Sequence, residues 1–145
     1  MCFVLYIAAT SPIPAIPWDE NRRAVHTTEL NEFALPVKGK FDRPNVKYVG
    51  SSQGCGCGFG HVMYQNGGWP EESMLGEPDD EQAENHTQLA SVLRSLLEQN
   101  PEVELFGCWS GDEDEAVAGH KTMSLDELAN PDFHFRERVL YTVVN

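Results

Sequence analysis

The apolar positions of the chain fall into short runs separated by turn-forming residues, with one long stretch of helical spacing. Residues Cys2-Phe3-Val4-Leu5-Tyr6-Ile7-Ala8-Ala9 are apolar and rich in β-branched and aromatic types, which predicts a buried strand. Prolines 12, 14 and 17 then impose an extended loop up to Trp18. Arg22 to Leu30 alternates weakly as a second strand, with Ala24, His26 and Thr28 on one face. Val46–Val49 is a clearer strand and leads directly into a glycine-rich segment. His61–Gln65 reads as another strand, closed by the turn signal Asn66-Gly67-Gly68.

Helical periodicity appears between about Asp80 and Gln99, where Ala83, Leu89, Val92, Leu93, Leu96 and Leu97 form one apolar stripe. Asp79 or Asp80 can cap its start, and Asn100-Pro101 ends it, because proline cannot continue the ladder. Val103–Trp109 is a further strand. Ser124-Leu125-Asp126-Glu127 has the form of a capping box for a short helix that Asn130-Pro131 stops. Phe133 to Val144 reads as a long C-terminal strand, with Phe133, Phe135, Val139, Tyr141 and Val143 on one face.

Strands dominate this pattern and helices fall late, so the expected class is α+β. The sheet should be mainly antiparallel or mixed, with about five or six strands, one long amphipathic helix (about 80–99) and one short helix (about 125–129). Neither an internal repeat nor a linker interrupts residues 1–145, which reads as a single globular domain.

Composition narrows the partners. The chain has 145 residues, 41% of them hydrophobic, and a formal charge of −13, the balance of a folded protein. That charge sits almost wholly in one half: residues 1–70 hold six basic and five acidic groups, residues 71–145 four and eighteen. Nucleic acid and anionic membrane surfaces both bind through clustered Lys and Arg, so neither is an expected partner. The acidic C-terminal half suits a basic partner or a cationic small molecule, and the thinly spread basic residues could pair with it across a homo-oligomer. The apolar start has no preceding basic residues and is too short to span a bilayer, so a cytoplasmic protein with reduced thiols is expected.

The most unusual stretch is Gly54-Cys55-Gly56-Cys57-Gly58-Phe59-Gly60-His61, where every even position from 54 to 60 is glycine. Cys55 and Cys57 form a C-x-C pair that suggests a thiolate metal site of the zinc type. Further ligands would come from His61 and from a distant Cys2 or Cys108. Backbone geometry decides whether this works. On an extended strand, side chains at i and i+2 stand about 6.5–7 Å apart. Two thiolates at about 2.3 Å from one tetrahedral Zn²⁺ must lie about 3.8 Å apart. A tight turn is therefore required. The same turn would be needed for a thiol-redox pair, whose thiol pKa neighbouring backbone N–H groups could lower.

Gly50-x-Ser52-x-Gly54 matches a nucleophile elbow in letters only, since a helix must follow the serine and residues 55–60 are too glycine-rich for one. Each tryptophan stands near acid: Trp18 before Asp19, Trp69 before Glu71, and Trp109 before Asp112. If their loops converge, rings and carboxylates would form a ligand site for a cation. His26, His86, His120 and His134 form no ligand pair of i,i+4 spacing. The reading that results is a non-catalytic binding or assembly module built around residues 54–60. The alternatives are a zinc-like site on Cys55 and Cys57, or a thiol-redox protein.

Overall fold

The computed structural model describes residues 2–63, 68, 69 and 77–145. Its centre is strand β1 (Phe3–Ala9), every residue of which is buried. The reason is that both faces of β1 are covered, which also explains why its sequence is apolar without alternation. Phe3, Leu5, Ile7 and Ala9 enter one core cluster; Val4, Tyr6 and Ala8 enter another on the opposite face.

Around β1 the sheet grows in both directions. Strand β2 (His26–Thr28) pairs with β3 (Asn45–Gly50), and β3 pairs with β1, both antiparallel. On the other side β1 pairs antiparallel with a later strand (Glu102–Trp109), which is β5 in chain order because the two-residue β4 (His61–Val62) precedes it. Strand β6 (Gly119–Ser124) runs parallel to the C-terminal β8 (Val139–Val144), which pairs antiparallel with β5. The order β2-β3-β1-β5-β8-β6 is thus a mixed six-stranded sheet, and the fold is α+β. The short β4 pairs in parallel with β7 (Phe135–Arg136) as a separate two-stranded unit.

Helix α1 (Asp80–Leu97) covers the face carrying Phe3, Leu5 and Ile7. Asp79 caps it by accepting the Gln82 N–H at 2.7 Å, and Asp80 and Glu81 suit the positive end of its dipole. At its other end Asn100 donates to the Leu96 carbonyl at 2.8 Å and to Ser11 Oγ at 2.7 Å, tying the helix to the chain after β1. Leu89, Leu93 and Leu96 bury the apolar stripe, but the same face also buries Asn85 and His86. Helix α2 (Leu125–Ala129) has the capping box its sequence indicates, with Ser124 and Glu127 bonded reciprocally. A 3₁₀ segment, Leu35–Lys40, supplies Val37 to the cluster on the opposite face of the sheet.

Several expected elements take a different form. The strand over 22–30 shortens to three residues. The long C-terminal strand divides at Arg138, whose φ of 64° turns the chain. Phe135 consequently pairs with β4 instead of the main sheet, yet Phe135, Val139, Tyr141 and Val143 still share one core cluster. Strand β6 has no forerunner in the sequence reading. The expected strand at 61–65 and the turn at 66–68 lie partly outside the described residues. Among the described residues no helix is long and apolar enough to cross a membrane.

Candidate metal centre

The chain leaves β3 at Gly50 and folds at once into a closed loop organised by Ser51, which is fully buried. The Ser51 hydroxyl donates to the Cys55 carbonyl at 2.5 Å and accepts from the N–H groups of Gln53 at 3.2 Å and Gly58 at 3.0 Å. The Ser51 N–H also donates to the Cys55 carbonyl, at 2.8 Å. Gly54 makes the turn with φ of 85°, a conformation that costs other residues a steric penalty. Residues Gly56–Gly58 then form one turn of 3₁₀ helix, so the C-x-C pair is coiled rather than extended. This is the condition that common ligation by Cys55 and Cys57 requires.

The turn lies against the start of β1. A Cβ at Gly56 would stand 2.8 Å from the Phe3 carbonyl oxygen, so glycine is what permits the approach. The Phe3 N–H donates to Cys57 Sγ at 3.3 Å. Cys2, one residue before Phe3, is thereby brought to the same place. The sulfurs of Cys2, Cys55 and Cys57 all lie within 4.8 Å of one another, close enough to hold a metal ion. Among the described residues no fourth His, Cys, Asp or Glu joins the group.

Helix α1 fixes the loop from the other side through its two buried polar residues. Asn85 Oδ1 accepts the Ser52 N–H at 2.9 Å, and Asn85 Nδ2 donates to Ser52 Oγ at 2.9 Å and to the Gly58 carbonyl at 3.3 Å. His86 Nε2 accepts the Gly60 N–H at 2.9 Å while Nδ1 lies 3.1 Å from the Leu128 carbonyl. Only a neutral imidazole with its proton on Nδ1 satisfies both contacts. Burial accordingly holds the His86 pKa below its ordinary value. Neither residue stood out in the sequence, where a polar interruption of an apolar stripe carries no sign of what it binds.

Burial and the crowding of thiols hold Cys55 in its protonated form. Burial, followed by the neighbouring thiols Cys57 and Cys2, pushes the Cys55 pKa up to about 12. The Tyr48 phenol is raised by burial and then by all three cysteines. A thiol raised in this way is a weak nucleophile, because reactive thiols have a pKa lowered by a nearby cation, a helix N-terminus or a metal. A metal ion supplies that charge itself and deprotonates its thiol ligands.

Cys2 and Cys55 also lie in the wall of a cavity of about 620 Å³, with Tyr6, Tyr48 and Glu113. The Tyr6 hydroxyl donates to Glu113 Oε1 at 3.0 Å, and the Gly111 N–H donates to Oε2 at 2.9 Å, so the buried carboxylate is oriented by two donors. Burial and Glu113 together raise the Tyr6 pKa, which keeps this phenol protonated as a donor.

The remaining sequence candidates stand elsewhere. His61 stacks on Phe3 at 4.6 Å, with Nδ1 at 2.7 Å from the Phe59 carbonyl. Cys108 is fully buried in the second core cluster, where burial raises its pKa. Thus Cys2, and neither His61 nor Cys108, completes the three-sulfur group. The tryptophans have separate surroundings: Trp18 lies 4.7 Å from the His26 ring, and Trp109 meets Phe3 and His61 edge-on at 6.3 and 5.7 Å. Trp69 donates to the Glu137 carbonyl at 3.2 Å beneath the Arg136 guanidinium. Asp112 is half-buried and its N–H closes a turn on the Trp109 carbonyl at 2.9 Å, while its neighbour Glu113 is the acid that reaches the cavity.

No family model, curated protein or solved structure matches the chain. What the protein does must therefore be argued from the site alone.

Proposed function

We propose that the protein is a binding module built around segment 54–60 whose ligand is a thiophilic metal ion, zinc in the first instance. Cys2, Cys55 and Cys57 are its ligands. The observation that carries this reading is the approach of the three sulfurs to within 4.8 Å of one another. Tetrahedral zinc thiolates need separations of about 3.8 Å, so a contraction of no more than about 1 Å completes the geometry. One of the three sits just before β1 and two on a loop, and Cys2 and Cys55 line a cavity that among the described residues has no Lys or Arg in its wall. Soft thiolates select zinc and similar ions over magnesium or calcium. Because Cys55 is protonated at neutral pH, binding releases at least one proton per ion.

The test is metal content and titration on reduced protein purified without chelator. One equivalent of Zn²⁺ is expected, with proton release in unbuffered solution. Cys2→Ser, Cys55→Ser and Cys57→Ser should each weaken binding by at least tenfold, while Cys108→Ser should leave it unchanged. Full affinity in all three cluster variants sinks the reading. A mass two units low with no metal taken up would instead indicate a disulfide and favour a redox role.

A further inference from the structure

An ion held by Cys2, Cys55 and Cys57 has three protein ligands and, among the described residues, no fourth. Structural zinc sites are closed by four protein ligands, whereas three-ligand sites leave a position for an exogenous group. Here the space for that group exists. Cys2 and Cys55 form part of the wall of the cavity of about 620 Å³, a volume in the range of small-molecule sites.

The lining says what kind of group can enter. Three thiolates around a divalent ion leave a net charge of −1, and the buried Glu113 carboxylate adds a second negative charge. Glu29, in the lining, pairs with Lys47 at 2.8 Å, and among the described residues no Lys or Arg belongs to the lining. Among the described residues the lining therefore brings negative charge, and no positive side chain, toward an incoming anionic donor. A nitrogen base avoids that repulsion: its lone pair meets the ion as a neutral ligand, and its N–H groups face acceptors. Glu113 uses one site on each oxygen for Tyr6 and Gly111 and retains further lone pairs. The rings of Tyr6 and Tyr48 pack edge-on against each other, centroids 6.0 Å apart, and together form an aromatic part of the wall.

We infer that the cavity bounded by Cys2, Cys55, Tyr6, Tyr48 and Glu113 binds a small nitrogen base of the imidazole or primary-amine class, which completes the coordination of the metal. This rests on the reading of the three thiols as a metal site. The metal centre is then a recognition element, with the ion taking the lone pair and Glu113 taking an N–H.

Cobalt(II) in place of zinc makes the coordination visible, because its d–d absorption changes with the ligand set and its thiolate charge-transfer band reports the sulfurs. In the full-length reduced protein, imidazole should shift the d–d bands saturably with the charge-transfer band retained. Acetate at the same concentration should have no effect. Glu113→Gln should weaken imidazole binding about tenfold. Because that variant disturbs a buried hydrogen bond, Thr28→Phe, which fills the cavity from its β2 wall, provides an independent check: the cobalt spectrum persists and the imidazole response disappears. A cobalt spectrum insensitive to imidazole, equally sensitive to acetate, or stripped of its charge-transfer band by imidazole overturns the inference and leaves the metal site standing. Failure to bind cobalt or zinc at all overturns the metal reading itself.

Discussion

Replacing Asn85 with alanine tests whether helix α1 holds the thiol-bearing loop in place. Asn85 is 1% exposed and lies on the buried face of the helix. Three of its contacts reach residues 52–58: Ser52 N–H and Ser52 Oγ, both at 2.9 Å, and the Gly58 carbonyl at 3.3 Å. Alanine removes all three and leaves helix propensity no worse. At about 1 kcal/mol net for each of the two well-formed bonds, and less for the longer one, the loss is about 2–3 kcal/mol. An adjoining cleft of about 410 Å³, lined by Ser52 and Asn85 itself, admits water and keeps the cost from rising further. Urea unfolding followed by tryptophan fluorescence should show a lower midpoint at unchanged slope. Thr87→Ala is the control, since the exposed Thr87 side chain donates to the Ala83 carbonyl of its own helix; it should stay within about 0.5 kcal/mol of the parent. An Asn85→Ala loss as small as the control's would refute the view that the helix pins the loop.

Other consequences can be checked in the same way. Gly56→Ala places a Cβ 2.8 Å from the Phe3 carbonyl in the central strand, which cannot yield, so the loop must move at a cost of about 1–3 kcal/mol. Zinc stoichiometry should fall with it, and retention of both stability and zinc would contradict the packing described. Tyr6→Phe deprives buried Glu113 of one of its two donors and should cost about 1.5–3 kcal/mol by denaturant unfolding; a neutral effect would show that water already serves that oxygen. Acidification should destabilise the fold through His86 and His61, whose native pKa values burial lowers from 6.5. Above that value both states are neutral at these sites. As pH falls below it the unfolded chain takes up protons first, and stability declines until the native pKa is reached. Glu104, raised by burial, acts in the opposite sense. The readout is therefore the difference in slope between the parent and His86→Leu from pH 7.5 to 5, and equal slopes would refute the assignment.

How far the fold was legible depended on whether local pattern and tertiary pairing agreed. Helix α1, its Asp79 cap, the Ser124 capping box and the apolar run of β1 all announced themselves, because capping chemistry and continuous apolarity are local. Strand β6 did not. Gly119-His120-Lys121-Thr122 offers one largely exposed segment at a sheet edge, and its strand character comes from pairing with β8 rather than from its own residues. The break at Arg138 was hidden for a related reason. Alternation across 133–144 predicts one strand, and nothing in the side chains signals that Glu137 and Arg138 donate their N–H groups to Val62 and Gly107 instead of continuing the ladder.

The candidate site divides along the same line. Cys55 and Cys57 were conspicuous, and so was the requirement that their segment be coiled if they were to share an ion. The third ligand was ambiguous, because spacing along the chain cannot choose among Cys2, Cys108 and His61. Register chooses. Cys108 lies opposite Val4, within a sheet face sealed by Val37 and Phe106, while Cys2 lies just beyond the end of β1 where the 3₁₀ turn arrives. The alternating glycines now have a geometric cause as well. Gly54 makes the turn, and Gly56 lets the loop touch the Phe3 backbone closely enough for the Phe3 N–H to reach Cys57 Sγ. One acid of the C-terminal half reaches the cavity wall shared with Cys2 and Cys55. Of the run Asp112-Glu113-Asp114-Glu115, Glu113 alone is buried and bonded to Tyr6. An ion held as proposed would share a cavity wall with one oriented carboxylate and, among the described residues, no Lys or Arg, so it would select its ligand by charge before shape.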